Sequence, residues 1–365
     1  MIPLSAPDID EADIAEVVAV LRTPRLSLGP KLAEFEESVA GYAGVEHGIG
    51  VSSGTAGLHL SLLALGVGEG DEVILPSFTF IAAAHVVLYV RARPVFVDID
   101  PVTLNMDPAD VARKITPRTR ALLVVHNFGY PADMDALLAL AEQHHLAVIE
   151  DACEALGATH RGRKLGSLGH VGVFAFYPNK PITTGEGGMI VTRDPKLAET
   201  MRALRNQGRL PTDGWLDHRT LGFNYRLSEM NCALGLSQMR RLEPILTQRE
   251  ARALRYAEEL WQVAKVTPPV MLATNMGLCW FVFVVRLATT VDRDAVCATL
   301  TEQGIGCARY FAPIHRQPLY AGYSAESLPV TDEVSSRTLA LPFFTGISDG
   351  QIREVCSALE RAVKS

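Results

Sequence analysis

The sequence has no surplus of basic residues: 34 lysines and arginines stand against 41 aspartates and glutamates, a formal net charge of -7. General nucleic-acid binding needs a basic face and is excluded, whereas one phosphorylated ligand held by local groups is not. Paired cysteines are also lacking. The six, Cys153, Cys232, Cys279, Cys297, Cys307 and Cys356, show none of the close spacings of a zinc or redox motif, so no metal site is expected and the thiols should be reduced and mostly buried. No apolar run approaches the roughly 20 residues of a membrane span; the longest, Ile81 to Val90, contains His85. The first ten residues have neither the basic start nor the apolar core of a signal peptide. Internal repeats and low-complexity segments are missing too. These absences leave a soluble cytoplasmic protein as the expectation. With 365 residues, 48% of them hydrophobic, the chain is long enough for a large domain and a smaller one.

What is present centres on Phe174 to Met189, Phe-Ala-Phe-Tyr-Pro-Asn-Lys-Pro-Ile-Thr-Thr-Gly-Glu-Gly-Gly-Met. Val171 to Phe176 reads as a buried strand that Pro178 ends. Lys180 follows, held before Pro181, and Gly185, Gly187 and Gly188 permit tight turns before a second apolar run, Met189 to Thr192. Burial disfavours the charged form of an amine and makes it a usable nucleophile, which is what a bond to an aldehyde cofactor requires. Taken alone, a loop lysine is more often a solvated surface charge. Upstream, Leu146 to Ile149 has a buried-strand pattern and Asp151 lies at its carboxyl end, where open α/β sheets bind ligands. An acid there, 29 residues before the lysine, suits pyridoxal phosphate: the acid would keep the pyridine nitrogen protonated while the lysine holds the aldehyde carbon.

Along the rest of the chain, Asp10 caps a first helix ended by Pro24, Lys31 to Tyr42 reads as a second, and His47 to Val51 as a strand. Ser52-Ser-Gly-Thr55 then opens an apolar helix. A strand turning into a helix this way presents free N–H groups and a hydroxyl, an anion site, although Ser53 as a plain cap is the simpler reading. Strands at 72–75, 94–97, 121–125 and 146–149 alternate with helices at 81–90, 108–115 and 134–144. Such units imply a mostly parallel sheet covered on both faces. Helices are expected at 196–206, 228–241, 244–263, 294–303 and 348–363, and a strand at 281–287. The boundary falls near residue 245, giving a large domain 1–245 and a small one 246–365, with the N-terminal helix a candidate to pack on the small one.

These stretches, with Gly70 to Phe80, Pro94 to Asp100, Gly222-Phe-Asn-Tyr-Arg-Leu-Ser-Glu229 and Pro313-Ile-His-Arg-Gln-Pro318, resemble the DegT/DnrJ/EryC1/StrS family of sugar aminotransferases, over nearly the whole chain. The resemblance implies a fold-type I pyridoxal phosphate transferase, an α/β protein with a mostly parallel seven-stranded sheet and a smaller α+β C-terminal domain. It implies an amino transfer from glutamate to a nucleotide-linked keto-sugar through the pyridoxamine form. Lys180 and Asp151 carry the chemistry, the cofactor phosphate lies on Gly54 and Thr55, and Phe80, which by sequence alone reads as core, stacks on the ring. Glu154 faces the cofactor, while Tyr310 and His315 lie near substrate, although a lone histidine is more often structural. Asn224, by itself a turn residue, reaches the cofactor of a neighbouring subunit, so a homodimer with shared active sites is implied.

Two positions depart from the family pattern. Ala175 stands where a serine usually donates to the phosphate, so Asn179, Thr183 or a water must compensate. Glu154 stands where a glutamine is common; a carboxylate facing a phenolate repels it, so Glu154 must be protonated, reach another donor or point away. Alternatives on the same fold are a sugar dehydratase, a cyclitol aminotransferase and a non-catalytic regulator. Dehydratases replace the lysine by histidine or add a cysteine cluster, which Lys180 and the scattered cysteines oppose; a mere binder needs neither Lys180 nor Asp151.

Overall fold

A computed structural model describes residues 1–210, 217, 218, 220–270, 276–323 and 327–364. The large sheet is built from β1 (His47–Val51), β2 (Glu72–Pro76), β3 (Arg93–Val97), β4 (Thr119–Val125) and β5 (Ala147–Asp151). Beyond two short strands, β6 (Thr159–His160) and β7 (Arg163–Lys164), it is completed by β8 (Val171–Ala175) and β9 (Gly188–Thr192), in the order β1-β9-β8-β5-β4-β2-β3. Neighbours pair in parallel except β9, which is antiparallel to both β1 and β8. The exception follows from chain length. Parallel partners need a crossover, supplied here by helices such as Ala82–Tyr89 and Met134–His144, whereas the link 176–187 has no helix and can only return beside its own strand. Lys180 sits in that link. Leu122, Val124, Val148, Ile149 and Val173 are fully buried, as strands covered on both faces should be.

A second sheet, β10 (Val266–Thr267), β12 (Phe283–Leu287) and β13 (Thr338–Leu341), is antiparallel and packs with helices Leu242–Leu260, Arg293–Glu302 and Asp349–Lys364. A two-residue strand β11 (Met276–Gly277) pairs with β6. Tyr256 stacks on Phe283 at 4.7 Å within this second core. The N-terminus joins it, Ile2 N donating to Gly304 O at 2.8 Å. The first helix, Glu11–Leu21, does not pack there: it lies against helix Glu229–Arg240, because buried Asp13 accepts from Gln238 Nε2 and Arg241 Nη2, both at 2.7 Å. The strand expected at 281–287 begins at Phe283 instead, which leaves Phe281 outside the ladder.

Helix Pro30–Ala43 has no side-chain cap of its own. Buried Glu229 supplies one from across the fold, accepting from Gly29 N (2.9 Å), Lys31 N (2.9 Å) and Leu32 N (3.1 Å). Charge-assisted bonds of this kind are the strong ones, and three donors at the helix start, that of Leu32 buried, would lose their acceptor together. Glu229→Ala is expected to lower stability by about 3 kcal/mol, and Glu229→Gln by clearly less, in urea unfolding; equal losses for both would show that these bonds carry little.

Candidate active site

Asp151, Ala175 and Val51 end β5, β8 and β1 on the same edge of the sheet. β1 runs through Ser52 and Ser53 into helix Gly54–Ala64, with Ser53 Oγ accepting from Ala56 N at 3.1 Å. The simple capping role of Ser53 is therefore real, and the helix N-terminus still faces the sheet edge. Space is tight here. A Cβ on Gly54 would lie 2.7 Å from Cys153 Sγ and 2.9 Å from the Ala175 Cβ, and one on Gly188 would lie 2.6 Å from the Ser53 carbonyl carbon. Any side chain at Gly54 would close the corner between the helix start and Asp151.

The edge opens into a cavity of about 340 Å³ whose lining includes Gly54, Thr55, Phe80, Asp151, Glu154 and Lys180. Phe80 is 60% exposed and belongs to the cavity rather than the core. Tyr310 also lines it. Lys180 is fixed by its link: Lys180 N donates to Tyr177 O at 2.9 Å, and Phe176 N and Gly187 O close the base at 3.0 Å. Its side chain is only 11% exposed, with Nζ 3.8 Å from the Phe281 ring centre and 3.7 Å from Glu154 Oε1. Phe281 is held in turn by the fully buried Arg249, which donates to Trp280 O (2.9 Å) and Phe281 O (2.8 Å).

Asp151 Oδ1 accepts from Cys153 N at 3.1 Å. Burial pushes its carboxyl above the usual range, opposed by Cys153 and by Lys180 nearby. Behind it, His126 Nε2 meets Glu150 Oε2 at 3.0 Å while His126 Nδ1 accepts from Ala132 N at 3.2 Å; that acceptor role leaves the ring proton on Nε2. Of the three courses open to Glu154, the structure shows the second: Oε2 accepts from Phe128 N at 2.8 Å and Oε1 faces Lys180. Burial pushes Glu154 up, and Lys180 and the Phe128 N–H draw it down.

The other expected residues separate. Thr183 spends its hydroxyl on Phe176 O at 2.9 Å and is not in the cavity lining, whereas Asn179 lines the cavity with a buried, unpartnered Oδ1. His315 lies outside the cavity: Nδ1 bonds Ser77 Oγ at 2.7 Å and Nε2 faces Asp332 Oδ1 at 3.2 Å. Nδ1 is engaged within the fold, Nε2 is buried beside Asp332 without a hydrogen bond among the described residues, and neither lies in the cavity lining. Asn224 is exposed, bridges Asn206 and is not among the residues lining its own chain's cavity. Sequence reasoning missed Cys153, Tyr177, Phe281 and Phe311 in the lining. Tyr177 and Cys153 adjoin recognised motifs, a signal that was available; Phe281 and Phe311 gave none.

The donor set fits a phosphorylated aromatic aldehyde. A helix N-terminus faces the cavity beside a glycine corner that no Cβ could enter, a buried carboxylate and a lysine amine line it, and an exposed phenylalanine completes it.

Fold and site together define a fold-type I aminotransferase. The chain belongs to the DegT/DnrJ/EryC1/StrS aminotransferase family, whose model matches residues 7–360. It is 41% identical to a GDP-perosamine synthase of Caulobacter vibrioides, over 99% of this chain and 98% of that protein. It is 40% identical to a UDP-N-acetyl-3-dehydro-alpha-D-glucosamine 3-aminotransferase of Acidithiobacillus ferrooxidans, over 92% and 89% of the two chains. The crystal structure of S. venezuelae DesV in complex with a ketimine intermediate superposes with a TM-score of 0.92 at 37% identity, covering 100% of this chain and 99% of that one. Among the described residues no helix is long and apolar enough to cross a membrane.

Proposed function

We propose that this protein transfers an amino group, with glutamate as donor, to the carbonyl carbon of a nucleotide-linked keto-sugar, using pyridoxal 5'-phosphate held in the cavity. The observation that carries the reading is that Lys180 and Asp151 line one cavity beside a helix N-terminus, Asp151 at the end of β5 and Lys180 in the link that follows the neighbouring β8. Two relatives at about 40% identity bear nucleotide-sugar names, one a GDP sugar synthase and the other a UDP-keto-sugar aminotransferase. The nearness of both supports a nucleotide-linked ketone as acceptor.

In this reading the first N–H groups of helix 54–64 and the Thr55 hydroxyl hold the phosphate, Phe80 covers the ring face, and Asn179 replaces the hydroxyl donor lost at Ala175. The bound cofactor supplies an electron sink for charge developing beside the transferred nitrogen. Asp151 keeps the proton on the ring nitrogen. Lys180 Nζ would hold the cofactor at its aldehyde carbon and, when freed, would serve as the base that takes the proton from the donor α-carbon and delivers it to that aldehyde carbon. Glu154 balances the charge on Lys180 while staying anchored to Phe128. Tyr310 borders the space left for substrate. Residues 1–245 and 246–365 act as large and small domains. Adding glutamate to the cofactor-loaded protein should shift its visible band to the ultraviolet band of the amine form; an unchanged spectrum counts against an aminotransferase.

Glu154 allows a separate test. Removing a negative charge beside a cation makes the cation lose its proton at lower pH. In Glu154→Gln the pH midpoint of the visible band should therefore fall, by about one unit; no movement would mean that Glu154 does not sense that proton.

The shared-site homodimer rests on Asn224, which is exposed and not among the residues lining its own cavity. Mixing inactive Lys180→Ala and Asn224→Ala subunits puts both lesions in one site and none in the other if Asn224 acts across the interface. Activity should recover towards half of the wild type. With subunit exchange verified and the Asn224→Ala parent impaired, absence of recovery would place Asn224 in its own chain's function.

A further inference from the structure

Cys297 and Cys307 are ten positions apart, a spacing with no motif meaning, yet the fold brings their sulfurs to 2.9 Å. Cys297 lies on helix Arg293–Glu302 and Cys307 on the segment that follows the turn at Gly304. Both side chains are partly open to solvent, whereas Cys232, Cys279 and Cys356 are buried and Cys153 lies in the active-site cavity. Cys307 Sγ also points at the Cys297 carbonyl (3.5 Å) and stands 3.9 Å from Thr301 Oγ1, so it is aimed back at the helix. A disulfide has its sulfurs about 2.05 Å apart, so at 2.9 Å the two thiols already face each other within reach of a bond. The next residue, Ala308, exchanges two hydrogen bonds with Ala340 of β13, at 3.2 and 2.8 Å. Tyr310, in the cavity lining, lies beyond that anchor.

We infer that Cys297 and Cys307 form a modification site, oxidised by a hydroperoxide to an intrachain disulfide that pins the turn 303–306 without disturbing the active site. In the first step the Cys297 sulfur attacks the peroxide, the O–O bond breaks, water or an alcohol leaves, and Cys297 becomes a sulfenic acid. In the second, the Cys307 sulfur displaces its hydroxyl, the S–S bond forms, and the thiol proton leaves with the hydroxyl as water. Two thiols are oxidised and one peroxide is reduced. Burial and the neighbouring Cys297 push the Cys307 thiol to about 12, which disfavours its thiolate and hence its attack on free peroxide. The other thiols are less open to attack, since Cys232, Cys279 and Cys356 are buried and Cys153 lies in the active-site cavity.

Trypsin places both cysteines in one peptide, Asp294 to Arg309. After hydrogen peroxide treatment of the cofactor-loaded protein, this peptide should lose two hydrogens, resist alkylation and regain both thiols with dithiothreitol. Cys297→Ser and Cys307→Ser should each prevent the bridge, and Cys307→Ser should accumulate a sulfenic acid at Cys297 that dimedone traps. The bridged protein should melt a few degrees higher, reversibly, with turnover changed by less than about twofold, since Ala308 shields Tyr310. Alkylation of both thiols in 294–309 after treatment, or oxidation of either beyond sulfenic acid without bridging, would overturn the site. A bridge that forms but lowers turnover severalfold, or leaves melting unchanged, would overturn the pinning role.

Discussion

Replacing Lys180 by alanine is expected to abolish turnover, by at least about 10⁴-fold, and to remove the covalent bond to the cofactor. The reason is positional. The link 176–187 is closed at its base by Phe176 and Gly187, and Lys180 Nζ is confined between Glu154 and the Phe281 ring. A confined amine performs two tasks, bonding the aldehyde and moving the α-proton, and general acid–base catalysis alone contributes roughly 10²–10⁴-fold. Borohydride reduction of the wild-type protein should fix the cofactor on the peptide containing Lys180, and mass spectrometry should find no such adduct in Lys180→Ala. An adduct elsewhere in the variant, or turnover above about a thousandth of wild type, would remove Lys180 from this role.

Asp151→Asn should leave the fold and the lysine bond intact but cost about a hundredfold or more in turnover. The Asn side-chain oxygen can still accept from Cys153 N, as Asp151 Oδ1 does at 3.1 Å, so folding has little reason to change. The charge is what disappears. Burial favours the neutral acid at this site, and a protonated ring nitrogen opposite it is the partner that would hold the carboxylate ionised. With Asn no group holds that proton, and charge developing beside the transferred nitrogen loses its sink. Unfolding curves that overlay those of wild type, together with an intact borohydride adduct, separate this loss from a structural one. Near-normal turnover in such a protein would refute the assignment.

Much of the fold and of the site is legible in the amino-acid sequence. The alternation of short apolar runs with helical patterns marks the sheet, because strands buried on both faces leave continuous apolar runs such as Leu122 to Val125. Lys180 and Asp151 are legible because proline and strand ends fix where a side chain can go. What is not legible depends on distant segments meeting. Phe281 lies in an apolar run that reads as strand, and only the late start of β12 at Phe283 frees it for the cavity. The two-residue strands β6, β7, β10 and β11 are too short to show a period. Helix Pro329–Arg337 and β13 lie in a stretch whose pattern announces no element. His315 sits in a functional motif, yet Ser77, far away in sequence, takes its Nδ1 and Asp332 stands beside its Nε2, outside the cavity lining. The sulfur contact of Cys297 and Cys307 likewise exists only once the helix and the following segment are packed.

The amino transfer itself can be followed atom by atom. The cofactor-loaded protein, given ¹⁵N-labelled glutamate and a panel of GDP- and UDP-linked keto-sugars, should yield a nucleotide amino sugar carrying ¹⁵N and an equal amount of 2-oxoglutarate, with neither formed by Lys180→Ala. Consumption of a keto-sugar to an unlabelled or dehydrated product, or no nitrogen transfer to any nucleotide-linked ketone, would contradict the proposed reaction.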